Sequence, residues 1–298
     1  MANADKPRIG LIGTGLMGKP MARNLLRAGF PLFVHNRTVS KLAELIAAGA
    51  VASPTPKALA EQCDIVITML IDWETTHAAV FGPEGVLDGI RSGSLFIDMG
   101  TTSPEHAREL WSAFDARGVE AIDAPVSGGE KGAVEATLTI MAGGSERAFA
   151  RAEPVFAAIG NNYVRIGDAG AGQIAKISNQ LIVAATVELV AEAFALARAY
   201  GIDPALVRKA MLGGFASSPI LEGQGRRMLE GNFTPGGPIK THMKDRDNLL
   251  DACERAGLDL PVAKAAFERV KMAVERFGGD FDHTILYKLY DGVTAAVS

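Results

Sequence analysis

The sequence of 298 residues predicts an α/β fold, a doubly wound parallel sheet followed by an all-helical domain. Short apolar runs alternate with amphipathic stretches up to about Ile166, which is typical of βαβ units. From Gly172 onward the sequence instead shows long alanine-rich helical periodicity and almost no strand signal. The glycine-rich segment from Asp168 to Gln173 indicates a junction. We therefore predict one domain over residues 1–167 and a second over residues 168–298, which begins with a long interdomain helix.

Six apolar runs supply the predicted strands of the first domain. They are RIGLI, PLFVH, DIVITML, SLFID, EAIDAP and TLTIMAG, which begin at Arg8, Pro31, Asp64, Ser94, Glu120 and Thr137. After the first run, KPMARNLLRAG is predicted as a helix with Ala22, Leu25 and Leu26 on one face. In the second domain, one long helix is predicted from Gln173 to Tyr200, where Gly201 and Pro204 end it.

Composition and charge restrict the class of partner. Hydrophobic residues make up 48% of the chain and charged residues 21%, as in a packed globular protein. The net charge of -4 gives no electrostatic reason to expect nucleic acid or an anionic membrane as a partner. Cys63 and Cys253 are too far apart for a CxxC pair, and the five histidines show no ligand spacing, so no metal site is predicted.

Two stretches bear on location. The first ten residues, MANADKPRIG, lack the apolar core of a signal peptide. The apolar stretch from Leu181 to Ala197 is interrupted by Glu188 and Glu192, so we interpret it as falling short of a membrane span. We expect a cytoplasmic protein without a membrane partner.

The segment RIGLIGTGLMG places three glycines directly after the first predicted strand. Gly13 permits a tight turn, Gly15 lets a pyrophosphate approach the backbone, and Gly18 lets helix and strand pack closely. A structural turn is the alternative, but the position before a predicted helix favours a Rossmann-like dinucleotide-binding domain. We expect Leu16 and Met17, in the same turn, to contact the dinucleotide as well.

The end of the second predicted strand indicates which dinucleotide binds. Enzymes that use NAD usually carry Asp or Glu here, whereas this chain has Asn36, Arg37 and Thr38. Because Arg37 would attract a 2′-phosphate, NADP is predicted in preference to NAD, and an exposed loop arginine is the alternative.

Three further motifs follow: DAPVSGGEKGA from Asp123, GDAGAGQIAKISNQL from Gly167 and THMKDRDNLL from Thr241. Together with the glycine segment, they resemble the β-hydroxyacid dehydrogenase family, which includes 3-hydroxyisobutyrate dehydrogenase, tartronate semialdehyde reductase and threonate dehydrogenase. The resemblance extends from GLIGTGLMG to FDHTILYKL. It implies hydride transfer between NADP(H) or NAD(H) and a small anionic 3-hydroxy acid or its semialdehyde.

The resemblance also implies roles for individual residues. Lys176 matches the catalytic acid/base and Asn179 a substrate-binding residue, and their spacing puts both on one helix face. A lysine can relay the alcohol proton if burial or a neighbouring cation lowers its pKa. Further implied substrate contacts come from Ser127, Gly128, Gly129 and Lys244, and further cofactor contacts from Met69, Leu70, Thr101 and Lys244. The paired glycines would offer backbone N–H groups to an anion, and Asp245 is expected in an ion pair or as a helix cap.

Two departures from the family pattern concern substrate and cofactor. Gly100 precedes Thr101 where the family usually has serine, which affects one cofactor contact. Gly237 stands where many members place an aromatic residue. Gly237 and the segment from Leu212 to Leu221 together resemble the threonate-type branches of the family more than the 3-hydroxyisobutyrate branch.

Three alternative functions remain open. An imine reductase, or a succinic semialdehyde or glyoxylate reductase, would share the two-domain fold, although imine reductases generally lack a lysine at the position of Lys176. A non-catalytic dinucleotide-binding interaction module is the alternative of another class, and it too is disfavoured by Lys176.

The segment from Gln180 to Ala199 carries apolar residues around most of its circumference. The helical domain alone is too small to cover it, and the family resemblance implies subunit contacts there. We therefore expect a homodimer or homotetramer assembled through residues after Gly172.

Overall fold

The computed structural model describes residues 6–236 and 238–292. The chain divides into two compact units, residues 1–176 and residues 177–298. The division falls inside the long helix, between Lys176 and Ile177.

The described residues of the first unit form a sheet of nine strands. The strands are β1 (Ile9–Ile12), β2 (Leu32–His35), β3 (Val51–Ala52), β4 (Ile65–Thr68), β5 (Leu95–Asp98), β6 (Glu120–Asp123), β7 (Val126–Ser127), β8 (Leu138–Gly143) and β9 (Gly160–Gly167). Their spatial order is β3-β2-β1-β4-β5-β6-β8-β7, and β9 pairs with β8. The pairs from β3 to β6 are parallel, as is the β8–β9 pair, whereas β8 runs antiparallel to β6 and β7.

The central strands are apolar because helices cover both faces of the sheet. Every residue of β1, β4 and β5 is buried. The helices of this unit are α1 (Gly18–Arg27), α2 (Ala43–Ala47), α3 (Pro56–Ala60), α4 (Trp73–Phe81), α5 (Val86–Gly89), α6 (Pro104–Asp115), α7 (Gly129–Glu135) and α8 (Glu146–Ile159), and a 3₁₀ helix spans Val39–Leu42. On α1, Ala22 and Leu25 are buried with Met21, and Leu26 is half-buried.

Strand register aligns the last residues of the parallel strands along one edge of the sheet. Ile12 pairs with both His35 and Thr68, Thr68 with Asp98, and Asp98 with Asp123. In open sheets of this topology, ligands bind outside the carboxyl ends of the strands. The loops that follow these five residues therefore define the edge at which a site is expected.

The regular elements among the described residues of the second unit are helices joined by loops, and one isolated bridge pairs Pro238 with Asp282. The helices are α9 (Ala171–Ala199), which begins in the first unit, α10 (Pro204–Met211), α11 (Pro219–Leu229), α12 (Lys240–Ala256) and α13 (Pro261–Phe277), followed by a 3₁₀ helix (His283–Tyr290). Phe194 of α9 lies in a core with Leu221, Phe267 and Leu286. The α/β class and the long helix are confirmed.

The interpretation of α9 as too polar to span a membrane needs correction. By length and composition alone the helix could span one, because an 18-residue window reaches a mean hydropathy of 1.7. Half of that window is buried inside the protein, as in the core helix of a globular domain. The buried Glu188 accepts hydrogen bonds from Arg269 Nε, at 2.8 Å, and Tyr290 Oη, at 2.5 Å. Its charge is thus compensated within the protein.

Candidate active site

Two of the three motif glycines are required by the packing of the turn between β1 and α1. Gly13 has a φ of +97°, and its N–H donates to His35 O at 3.0 Å. A Cβ at Gly13 would overlap Met69 O, and a Cβ at Gly18 would overlap Gly13 O. Both positions need glycine because backbone atoms occupy the space of a side chain.

Gly15 differs, since no atom of the described residues, apart from Gly15 and its two chain neighbours, lies within 4 Å of a Cβ built there. The turn is open on this side, and Leu16 is 51% exposed. The N-cap residue of α1, Met17, gives the first helical N–H groups no side-chain acceptor. The buried hydroxyl of Thr14 likewise has no hydrogen-bond partner within residues 6–236 and 238–292. Open space and unsatisfied donors at a helix N-terminus fit a pyrophosphate.

Residues after β2 flank this turn. Asn36 Oδ1 accepts from Thr14 N at 3.2 Å, and Asn36 Nδ2 donates to Thr38 O at 3.0 Å. Asn36 thus braces the glycine turn against the loop after β2. Arg37 and Thr38 are exposed, and Arg37 forms no hydrogen bond or ion pair with the described part of the chain. The Arg37 guanidinium is therefore available for a phosphate.

The loops after β4 and β5 lie at the same edge. Met69 N donates to Ile12 O at 2.9 Å, and Met69 O abuts Gly13. A Cβ at Gly100 would lie 3.0 Å from Leu70 O, which shows that the two loops are in contact. Thr101 follows Gly100 and is half-buried. The predicted cofactor residues of the first unit thus lie at the ends of β1, β2, β4 and β5.

The predicted substrate loop follows β7. Ser127 pairs with Thr139 of β8 and is half-buried. Gly128 and Gly129 have φ values of +130° and +61°, in the region that favours glycine. They are exposed, and α7 begins at Gly129 without a side-chain cap. These backbone N–H groups can receive a carboxylate.

The start of α9 is bonded to the ends of β5 and β6, an arrangement that the motif comparison did not predict. The Asp123 carboxylate accepts from Gly170 N at 2.8 Å and from Gln173 N at 2.9 Å. The Gln173 side chain donates to Gly100 O at 3.0 Å and accepts from Thr102 N at 3.1 Å. Burial raises the pKa of Asp123 to about 7, against the opposing effect of these N–H groups. The sequence signal was an Asp at the carboxyl end of a predicted strand.

Lys176 lies on α9, one helical turn after Gln173, and is buried with 8% exposure. Asn179 follows at the i+3 position and is half-buried, and its Nδ2 donates to Gln180 Oε1 at 3.0 Å. Spacing places Lys176 and Asn179 on one face of the helix. The neighbouring side chain of Ile177 is also buried. Ile174 is 44% exposed because it lies on another face of the helix.

Lys244 and Asp245 lie in the second turn of α12. Lys244 is half-buried, whereas Asp245 is buried and accepts from Gln180 Nε2 at 2.6 Å. His242 Nδ1 lies 3.8 Å from Asp245 Oδ2. Asp245 is therefore not a helix cap, since it is five residues inside the helix. Gly237, the predicted difference in the substrate wall, lies outside the described residues.

The histidines that appear scattered in the sequence include a contacting pair, of which His242 is buried and His283 half-buried. His242 Nε2 and His283 Nδ1 are 3.0 Å apart. Burial lowers the pKa of His283 to about 4, and the charge of His242 acts in the same sense. No group of three or more His, Cys, Asp or Glu residues suited to a metal occurs in the described part of the chain.

Two family models match the chain. Residues 8–167 match the NAD-binding domain of 6-phosphogluconate dehydrogenase, and residues 170–290 match the NAD-binding domain of NADP-dependent 3-hydroxyisobutyrate dehydrogenase. A 2-hydroxy-3-oxopropionate reductase from Escherichia coli (strain K12) is 40% identical, over 94% of this chain and 95% of that protein. An L-threonate dehydrogenase from Cupriavidus necator is 33% identical, over 96% of each chain.

The fold is also similar to that of a solved relative. The structure of 3-hydroxyisobutyrate dehydrogenase from Mycobacterium tuberculosis with L-serine has a TM-score of 0.88 at 28% identity, and covers 97% of this chain and 100% of that one. The glycine turn and its open Gly15 side fit the nicotinamide dinucleotide that both family models describe. The chain belongs to the β-hydroxyacid dehydrogenase family of NAD(P)-dependent oxidoreductases.

Proposed function

We propose that the chain interconverts a small 3-hydroxy acid and its semialdehyde, with NADP(H) as the preferred cofactor and Lys176 as the acid/base. One observation supports this most strongly. Lys176 is buried on a helix whose first turn is hydrogen-bonded to the ends of β5 and β6, at the sheet edge that also carries the glycine turn. A proton-transfer group and a dinucleotide-binding turn at one edge are what a dehydrogenase requires.

The chain's own residues have separate tasks in this proposal. Backbone N–H groups at the start of α1 bind the pyrophosphate, and Asn36 keeps the turn in place. When bound, NADP would supply the hydride acceptor for oxidation, and NADPH the donor for reduction. The Ser127 hydroxyl and the N–H groups of Gly128 and Gly129 bind the substrate carboxylate. Lys176 accepts the hydroxyl proton in oxidation and returns it in reduction.

We infer the substrate class from the relatives' names and from the N–H groups of Gly128 and Gly129, which can receive a carboxylate. The 40% identical relative is named for 2-hydroxy-3-oxopropionate, and another is named for L-threonate. We propose that Asn179 and Lys244 also bind such a substrate, since both match family positions. The test is a panel of tartronate semialdehyde, L-threonate, 3-hydroxyisobutyrate, succinic semialdehyde, glyoxylate and a cyclic imine, each with both cofactors, followed at the nicotinamide absorbance. Turnover of the imine alone would contradict the proposal.

Arg37→Ala should separate the two cofactors. If Arg37 holds the 2′-phosphate, its loss should weaken NADPH binding by about 1.5–3 kcal/mol, as expected for a hydrogen bond to a charged group. NADH lacks this phosphate, so its binding should barely change and serves as the internal control. Titration of each cofactor by fluorescence gives both affinities, and equal losses for the two would show that Arg37 does not select NADP.

We further propose that a second copy of the chain covers one face of α9. Ile182, Leu189 and Leu196 recur every seven residues on this helix and are 63%, 58% and 62% exposed. Apolar rows of this kind typically mark a subunit interface. Light scattering coupled to size exclusion should therefore give the mass of a dimer or tetramer.

Leu189→Glu should shift that assembly toward the single chain, because it places a charge in the middle of the apolar row. Ile46→Glu is the matched control, since Ile46 is an exposed apolar residue on α2 of the first unit. A wild-type mass near 31.3 kDa, that of one chain, at micromolar concentration would refute the proposal.

A further inference from the structure

Asp123 connects two parts of the proposed site. It is the last residue of β6, and the chain from it reaches Ser127 at the end of β7 four residues later. Its carboxylate binds the N–H groups of Gly170 and Gln173, at 2.8 and 2.9 Å. Asp123 is 5% exposed, so these bonds form away from bulk water. Asp123 thus contacts the segment at the start of α9, the helix that carries Lys176. The chain that follows Asp123 leads to Ser127.

The backbone is packed closely enough at this point to exclude any side chain. A Cβ at Gly172 would lie 2.7 Å from Asp123 O and 2.8 Å from its Oδ2. A Cβ at Gly143 of β8 would lie 2.5 Å from Asp123 Oδ1 and 2.7 Å from Gly172 N. The first turn of α9 therefore lies directly against β6 and β8, and a shift of that turn would break both carboxylate bonds.

Gln173 provides a second, independent attachment. Its side-chain amide bonds Gly100 O and Thr102 N, at 3.0 and 3.1 Å, in the loop after β5. The residue is fully buried, and both ends of the amide have a backbone partner. Asp123 and Gln173 together bond the first turn of α9 to two neighbouring strand ends, and Lys176 occupies the next turn.

We propose that Asp123 and Gln173 are positioning residues for Lys176: they fix the register and direction of the first turn of α9, and through it the place of the lysine amine. This inference rests on the proposed function, in which Lys176 transfers the proton. A carboxylate is well suited to position 123 because both of its oxygens accept hydrogen bonds, and because a negative charge near a helix N-terminus is favourable. Misplacement of a catalytic group by about 1 Å can lower a rate 10²-fold.

Asp123→Asn tests the carboxylate with almost no change in shape. The amide oxygen still accepts one N–H, but its NH₂ group faces the other N–H, so one of the two bonds is lost. We expect kcat to fall about 10- to 100-fold, while the cofactor dissociation constant changes less than about threefold. Amide hydrogen exchange of the peptide from Asp168 to Lys176 should accelerate by about tenfold, as expected for one lost hydrogen bond.

Two further variants complete the experiment. Gln173→Ala removes the second attachment and leaves the Asp123 carboxylate intact, so kcat should fall by about 10- to 100-fold here too. If Asp123→Asn does not fold, this variant alone tests the positioning role. Asp168→Asn is the matched control: this carboxylate is in the same segment but 94% exposed and paired only with Arg165 among the described residues, at 2.8 Å. It should leave both kcat and exchange unchanged.

The outcomes separate this inference from the proposed function. Slower turnover and faster exchange in Asp123→Asn or Gln173→Ala, with normal cofactor affinity, would support the positioning role. Wild-type kcat in folded Asp123→Asn and Gln173→Ala, beside an inactive Lys176→Ala, would overturn it and leave the proposed function standing. Retained turnover in Lys176→Ala would overturn both.

Discussion

Replacing Lys176 with alanine is expected to lower kcat by about 10²–10⁴-fold, the usual contribution of a general acid/base. Cofactor affinity should stay close to that of the wild type, because the proposed dinucleotide site is the glycine turn and does not include this lysine. Steady-state kinetics gives kcat, and fluorescence titration with NADPH gives the affinity. Lys209→Ala on α10 is the matched control, since that lysine is exposed and lies in no predicted site.

A Lys176→Ala variant that keeps more than about a tenth of the wild-type kcat would refute the assignment of the acid/base role. A variant that loses turnover and NADPH affinity together would also contradict it, because the loss would then report on cofactor binding. Only a loss of kcat with unchanged NADPH affinity fits a residue that transfers the proton.

The glycines of the turn should respond to alanine in two different ways. Gly18→Ala forces a Cβ onto Gly13 O, a backbone atom that cannot move aside, so the fold should lose about 1–3 kcal/mol or more of unfolding free energy. Beyond its own chain neighbours, Gly15→Ala meets no atom of the described residues within 4 Å, so its melting temperature should match that of the wild type. Its NADPH affinity should nevertheless fall at least about tenfold, because the new methyl group would occupy the place proposed for the pyrophosphate.

Calorimetry and NADPH titration of the two variants check this contrast, and each variant is the control for the other. If Gly15→Ala binds NADPH as the wild type does, the open side of the turn is not the dinucleotide site. If both variants unfold, the distinction between a packing glycine and a binding glycine is wrong.

The sequence predicts those parts of the fold that depend on local patterns. Six apolar runs mark β1, β2, β4, β5, β6 and β8, and the long helix begins at Ala171, two residues before its predicted start. The strands β3 and β7 have only two residues each, too few for a periodic signal. β9 has eight residues, of which only Gly160 is buried, so its sequence lacks the apolar alternation of a covered strand.

Contacts between distant residues are harder to predict from sequence. The family motifs supply Ser127 and Lys176 as candidates, but not the carboxylate bonds from Asp123 to Gly170 and Gln173, about 50 positions apart. The same holds for the His242 and His283 pair, whose ring nitrogens are 3.0 Å apart although one residue lies on α12 and the other begins the 3₁₀ helix. Hydrogen-bond partners depend on tertiary packing, which spacing along the chain does not report.

Transfer of deuterium from NADPH that carries deuterium at both C4 positions tests directly whether the protein moves a hydride to a semialdehyde. Wild-type protein is incubated with this cofactor and the semialdehyde that gives the highest turnover in the panel, and the product is examined by mass spectrometry and NMR. The expected product is a 3-hydroxy acid that carries one deuterium on its carbinol carbon, formed by the wild type and not by Lys176→Ala. A product without deuterium, or the absence of turnover with every hydroxy acid and semialdehyde of the panel, would contradict the proposed hydride transfer.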